Sequence, residues 1–106
     1  MDPFEIKNLT TGFGNPARSY VKSRLNPSDI LVKNPSSTFF FRWEGDNNYG
    51  ISKGDILVVD RSLDPKEEDI VVVIEEGKLK CFKFMEIGKE TEIWGAITWK
   101  LTDLRK

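Results

Sequence analysis

The chain has 106 residues, 31% of them charged and 39% hydrophobic, with a formal net charge of −1. That size and balance fit one folded domain and argue against an intrinsically disordered chain or a strongly basic nucleic-acid footprint. With no histidine and a single cysteine, Cys81, the chain cannot build Ser-His-Asp triads, Cys-His dyads, His-ligated zinc sites or an intramolecular disulfide framework.

No apolar run approaches the roughly 20 residues that cross a bilayer, and the N-terminus lacks a signal-peptide pattern. These features, with the lone cysteine, predict a cytoplasmic protein without a membrane partner. Residues 1–11 read as a short polar lead and 12–106 as the domain. The Thr11-Gly12-Phe13-Gly14 stretch is a glycine-rich hinge before a helix over 16–25, with Pro16 in its first turn. A second helix opens at once, with Asn26 as cap and Pro27 at its first position, and stops before Pro35.

Residues 38–44 form the first strong strand signal, with Phe39, Phe41 and Trp43 on one face and Thr38, Phe40 and Arg42 on the other. Its aromatics read as core rather than as a base-stacking platform, because no basic residues surround them. A polar tract follows, Glu44-Gly45-Asp46-Asn47-Asn48-Tyr49-Gly50-Ile51-Ser52-Lys53-Gly54-Asp55. It leads into Ile56-Leu57-Val58-Val59, a run apolar enough to be buried on both faces. A second such run spans 69–75, and Glu76-Gly77 turns it into a strand over 78–84. There Lys78, Lys80 and Phe82 share one face, and Leu79, Cys81 and Lys83 the other. The last strand, over 92–101, carries Ile93, Trp94, Ile97 and Trp99. The acidic residues Glu44, Asp46, Asp55 and Asp60 read as turn caps, so no metal site and no cofactor is expected. Together these elements predict a mainly β domain with minor α content, two short helices preceding the strands.

The tract Gly45-Asp46-Asn47-Asn48, then Gly50-Ile51-Ser52-Lys53-Gly54-Asp55-Ile56-Leu57-Val58-Val59-Asp60, resembles the self-cleaving peptidase domains of the LexA/UmuD family. Asn34-Pro35-Ser36-Ser37-Thr38-Phe39, Asp69-Ile70-Val71-Val72-Val73 and Ile93-Trp94-Gly95-Ala96-Ile97 extend the resemblance from about residue 12 to 101. It implies a single LexA/UmuD-type peptidase-like β domain. In that family the third residue of Gly-Asp-Ser-Met is the nucleophilic serine, and a lysine on the later hairpin is its base. Here those positions fall on Asn47 and Phe82, with two residues missing between Asn48 and Gly50.

A serine hydroxyl needs a base within hydrogen-bonding reach before it attacks a carbonyl, and neither side chain supplies such a part. The expectation is therefore a chain that is not an enzyme, a pseudopeptidase with Thr11–Gly12 as a vestigial cleavage site. The resemblance further implies a homodimer in SOS mutagenesis and DNA-damage tolerance that binds a UmuC-like translesion polymerase, with no direct nucleic-acid contact. Trp94, Ile97, Trp99 and Leu101 are the candidate dimer or partner residues. The alternatives are an active serine-lysine self-cleaving peptidase and a regulator that pairs with LexA-type repressors.

Overall fold

The computed structural model describes residues 25–105. The lead, the helix over 16–25 except its last residue, and the Thr11–Gly12 bond lie outside the described residues. The chain divides into two units at Ile30/Leu31. Of the first unit, the described part is the start of helix α1 (Pro27–Leu31). Asn26 caps it as expected: its Oδ1 accepts from the Ser28 N–H at 2.9 Å, and its carbonyl accepts from the Asp29 N–H at 3.0 Å.

The second unit is one antiparallel sheet. Its strands are β1 (Thr38–Arg42), β2 (Ile56–Asp60), β3 (Ile70–Glu75), β4 (Lys78–Lys83) and β5 (Glu92–Leu101), in spatial order β1-β2-β5-β3-β4. The mainly β expectation is met, and each strand falls within a residue or two of its predicted span. The β1 ladder outlasts its assigned end, since the Trp43 N–H donates to the Asp55 carbonyl at 2.8 Å. At the Glu76-Gly77 turn both residues have positive φ, 52° and 78°. That mirror-image turn matches the right-handed twist of β3 and β4.

The apolar runs behave as their composition requires: Leu57, Val58 and Val59 in β2 and Val71, Val72 and Val73 in β3 are fully buried. Alternation divides all of them but Val58 between two clusters. One gathers Trp43, Ile51, Leu57, Val59, Val72 and Cys81. The other gathers Val71, Val73 and Ala96, with Phe82, Phe84, Ile87 and Ile93 packed against it.

Strand β5 pairs with both β2 and β3 and shifts register against each, between Val58 and Val59 and between Val72 and Val73. The residues left without a ladder partner are Thr98 and Trp94. Such bulges re-aim side chains, and Trp94 packs towards the first cluster. Its ring meets Phe39 at 5.5 Å and Phe41 at 5.8 Å, with the Arg61 guanidinium 4.6 Å above it. Gly95 follows because a Cβ there would come within 2.6 Å of a Val59 methyl.

One reading of the aromatic strand is corrected. Phe39 and Phe40 are 43% and 47% exposed. Strand β1 stands at the end of the sheet among the described residues, so each of its faces is only partly covered.

Candidate functional site

The tract between β1 and β2 is held rigid by its own polar groups. The Trp43 indole N–H donates to the Asp46 carbonyl at 3.0 Å, and the ring lies over Gly45, where a Cβ would collide with it. Asn48 and Ile51 exchange two backbone hydrogen bonds of 2.9 and 2.8 Å around Tyr49 and Gly50, both at positive φ. The Asn47 amide oxygen accepts from the Lys53 N–H at 3.0 Å. Buried Asp55 closes the tract: its carboxylate accepts from the Ser52 N–H and from the Thr102 hydroxyl, each at 2.9 Å, with the Lys100 ammonium 3.9 Å away. The Tyr49 hydroxyl donates to the Glu86 carboxylate, and that hydrogen bond raises the phenol's pKa.

Across from this tract runs β4, and a cleft of about 490 Å³ lies between them. Trp43, Asp46 and Asn48 line one wall, and Lys80, Cys81 and Phe82 belong to the other. Among the described residues lining the cleft there is no serine or threonine. Cys81 is buried, and burial pushes its thiol up to about 12, so at neutral pH it is a protonated and poor nucleophile. Phe82 packs against the cluster of Val71, Val73 and Ala96, whereas Cys81 joins the cluster of Trp43. Lys80 and Lys83 are engaged with Glu75 at 3.2 Å and Glu68 at 3.3 Å.

A second buried carboxylate, Asp60, was expected only to cap a turn. It accepts from Asn34 Nδ2 at 2.7 Å, Ser37 Oγ at 2.8 Å, and the Ser62 N–H and hydroxyl at 2.8 and 2.7 Å. Burial alone would push its carboxyl up, but the hydrogen bonds from Asn34, Ser62 and Ser37 outweigh that and hold it well below the usual carboxylate range. It thereby fixes the segment that leads into β1. The Asn-Pro-Ser-Ser run just before the aromatic strand was the available sequence signal.

Of the candidate partner residues, Trp94 and Ile97 pack against the first cluster, while Trp99 and Leu101 are 46% and 38% exposed. Leu101 pairs with Ile56 and Trp99 with Val58, which in turn pairs with Phe40. The register therefore sets Trp99, Val58 and Phe40 side by side across three strands.

The fold and this cleft agree with what the chain matches. Residues 3–94 match the Peptidase S24-like family, and the chain belongs to that family, the LexA/UmuD-type peptidases. It is 31% identical to protein MucA of Salmonella typhimurium and of Escherichia coli, over an alignment covering 95% of this chain and 84% of MucA. It is 38% identical to protein ImpA of Shigella flexneri over 72% of this chain, and 32% identical to protein SamA of Salmonella typhimurium over the same share. The matched parts cover 54% of ImpA and 56% of SamA. These are UmuD-like relatives in a family tied to SOS mutagenesis.

The membership corrects one expectation. A chain that is not an enzyme was inferred from Asn47 and Phe82, but the family it belongs to is one of peptidases. The inference rested on two positions, Asn47 after Gly45-Asp46 and Phe82 counted from Gly77, and two matched positions weigh less than a family match over residues 3–94.

Proposed function

We propose that this chain is a UmuD-like subunit of SOS mutagenesis that forms a homodimer and binds a UmuC-like translesion polymerase. The similarity to MucA along 95% of the chain carries the reading. Half-exposed Trp99 supports it, because such aromatics are the side chains that anchor protein interfaces. Light scattering on the purified chain, alone and mixed with its host's UmuC-like polymerase, tests both parts. A dimer mass and co-elution with the polymerase are expected. A monomer that elutes apart from the polymerase would defeat the proposal.

The family match favours a second activity, cleavage of its own chain, with Thr11–Gly12 as the candidate bond. Prolonged incubation at alkaline pH followed by intact-mass measurement tests it. A fragment beginning at Gly12 supports self-cleavage, and an unchanged mass opposes it.

A further inference from the structure

One end of the cleft beside β4 is shut by a side chain of the tract. The Phe84 N–H donates to the Asp69 carbonyl at 2.8 Å, on the β3 side. Hydrogen bonding alternates along an antiparallel strand, so Lys83, Cys81 and Leu79 turn their backbone groups the other way, towards the tract. Leu79 and Cys81 line the cleft. At Lys83 the tract comes down onto the strand: the Lys83 backbone N–H and its ammonium both face the Tyr49 oxygen, and the Tyr49 hydroxyl donates to the Glu86 carboxylate.

The two partners of that bond are mounted differently. Glu86 ends the short turn Phe84–Glu86 that follows β4. That turn is tied down by the Phe84 N–H and by the Met85 N–H, which donates to the Glu67 carbonyl at 3.2 Å. Tyr49 stands at the tip of the tract, between the hydrogen bonds that Asn48 and Ile51 exchange. Its φ of 51° is one that a bulky residue rarely adopts, and such a backbone persists where other contacts hold it. The bond to Glu86 is such a contact. Two hollows meet here. Asn48 lines the cleft, whereas Tyr49 lines a second hollow, of about 340 Å³, with Ile51, Ile70, Ile97 and Trp99.

We infer that Tyr49 and Glu86 form a clasp that gives the cleft a closed end at Lys83, and that its release lets the tract lift and opens the cleft along the β4 edge. A chain laid along β4 therefore stops at Lys83 unless it displaces the clasp. The bond is exposed to solvent, where such bonds exchange readily with water, as a gate requires. This device goes beyond the dimer and self-cleavage readings and depends on neither.

Cys81 is a built-in reporter. It is the chain's one cysteine, it lines the cleft and it is buried. Its alkylation by iodoacetamide at a fixed pH therefore reads how often the tract lifts. Tyr49→Phe and Glu86→Gln keep the shape of each side chain and remove the bond. Each should speed alkylation by about three- to tenfold. The double variant should be no faster than either alone, because the same bond is lost in all three. Glu90→Gln removes a carboxylate from the same connection but plays no part at Tyr49, and it should match the wild type. The gain should stay constant in urea too dilute to unfold the protein, since lifting the tract exposes little surface.

Alkylation at the wild-type rate in both single variants overturns the clasp. So do effects that add in the double variant, a Glu90→Gln rate as high as that of Glu86→Gln, or gains that grow with urea as global unfolding does. All of these outcomes leave the dimer and self-cleavage readings to their own mass measurements.

Discussion

The two ends of the sheet are built in opposite ways. Strand β4 is Lys78-Leu79-Lys80-Cys81-Phe82-Lys83, three lysines in six residues, with Glu75 and Glu68 paired to two of them. The rigid tract that carries Asp46 and Asn48 also stands beside it across the cleft. Strand β1 is Thr38-Phe39-Phe40-Phe41-Arg42, with one charge, at its end. Lysines along an edge oppose pairing with another chain, because a second strand would bring like charges together and bury them. An apolar edge without them invites it. Among the described residues the same sheet thus lines one margin with lysines and leaves the other without them.

The largest expected effect comes from removing what holds β1 in place. Asp60→Ala deletes the buried acceptor of four hydrogen bonds and leaves the donors of Asn34, Ser37 and Ser62 without it. We expect a loss of about 3 kcal/mol at pH 7 in urea titration. The carboxyl's folded pKa lies below its unfolded value of about 3.9. Its contribution is therefore fully present well above pH 4 and lost as the pH falls through and below that value. The variant should lack that part of the wild type's acid sensitivity.

A smaller effect should follow from Gly95→Ala, in the strand midway between the two margins. The new methyl would press on Val59 and on Arg61, whose Cγ would be 3.2 Å away. The cost should be about 2 kcal/mol by the same titration, with the dimer contact unaltered once the protein is folded.

The smallest effect on folding, and the sharpest on the comparison, belongs to Lys78→Thr with Lys80→Val. Both lysines are exposed, so stability should change by only about 0.5 kcal/mol. Self-association by light scattering should nevertheless increase through the unguarded margin. An unchanged mass would mean that lysines are not what protects β4.

Much of this fold was legible in the sequence. The two valine-rich runs, the Glu76-Gly77 turn and the capped helix at Pro27 all rest on signals within a few residues, and the structure places them as read. Strand order was not legible, because nothing local says that β5 returns to the centre between β2 and β3. That is why Phe39 and Phe40 were expected inside: aromatic strands favour covered sheets, and only the order reveals an edge. The bulges at Trp94 and Thr98 were hidden for the same reason. Asp55 was read as a turn cap, and it accepts from the Ser52 N–H. The tract's longest tie, Asp55 to Thr102, joins residues 47 apart. The peptidase question shows the limit from another side, since the side chains at two matched positions, Asn47 and Phe82, argued against an activity that the family match points to.

Amide hydrogen exchange of the wild-type chain and of Glu86→Gln tests the contrast between the two margins most directly. The Lys83 N–H, at the margin that Tyr49 covers, should be protected in the wild type and exchange about threefold faster in the variant. Those of Thr38, Phe40 and Arg42 on β1 should exchange alike in both. Equal exchange of the Lys83 group in the two proteins would contradict the account.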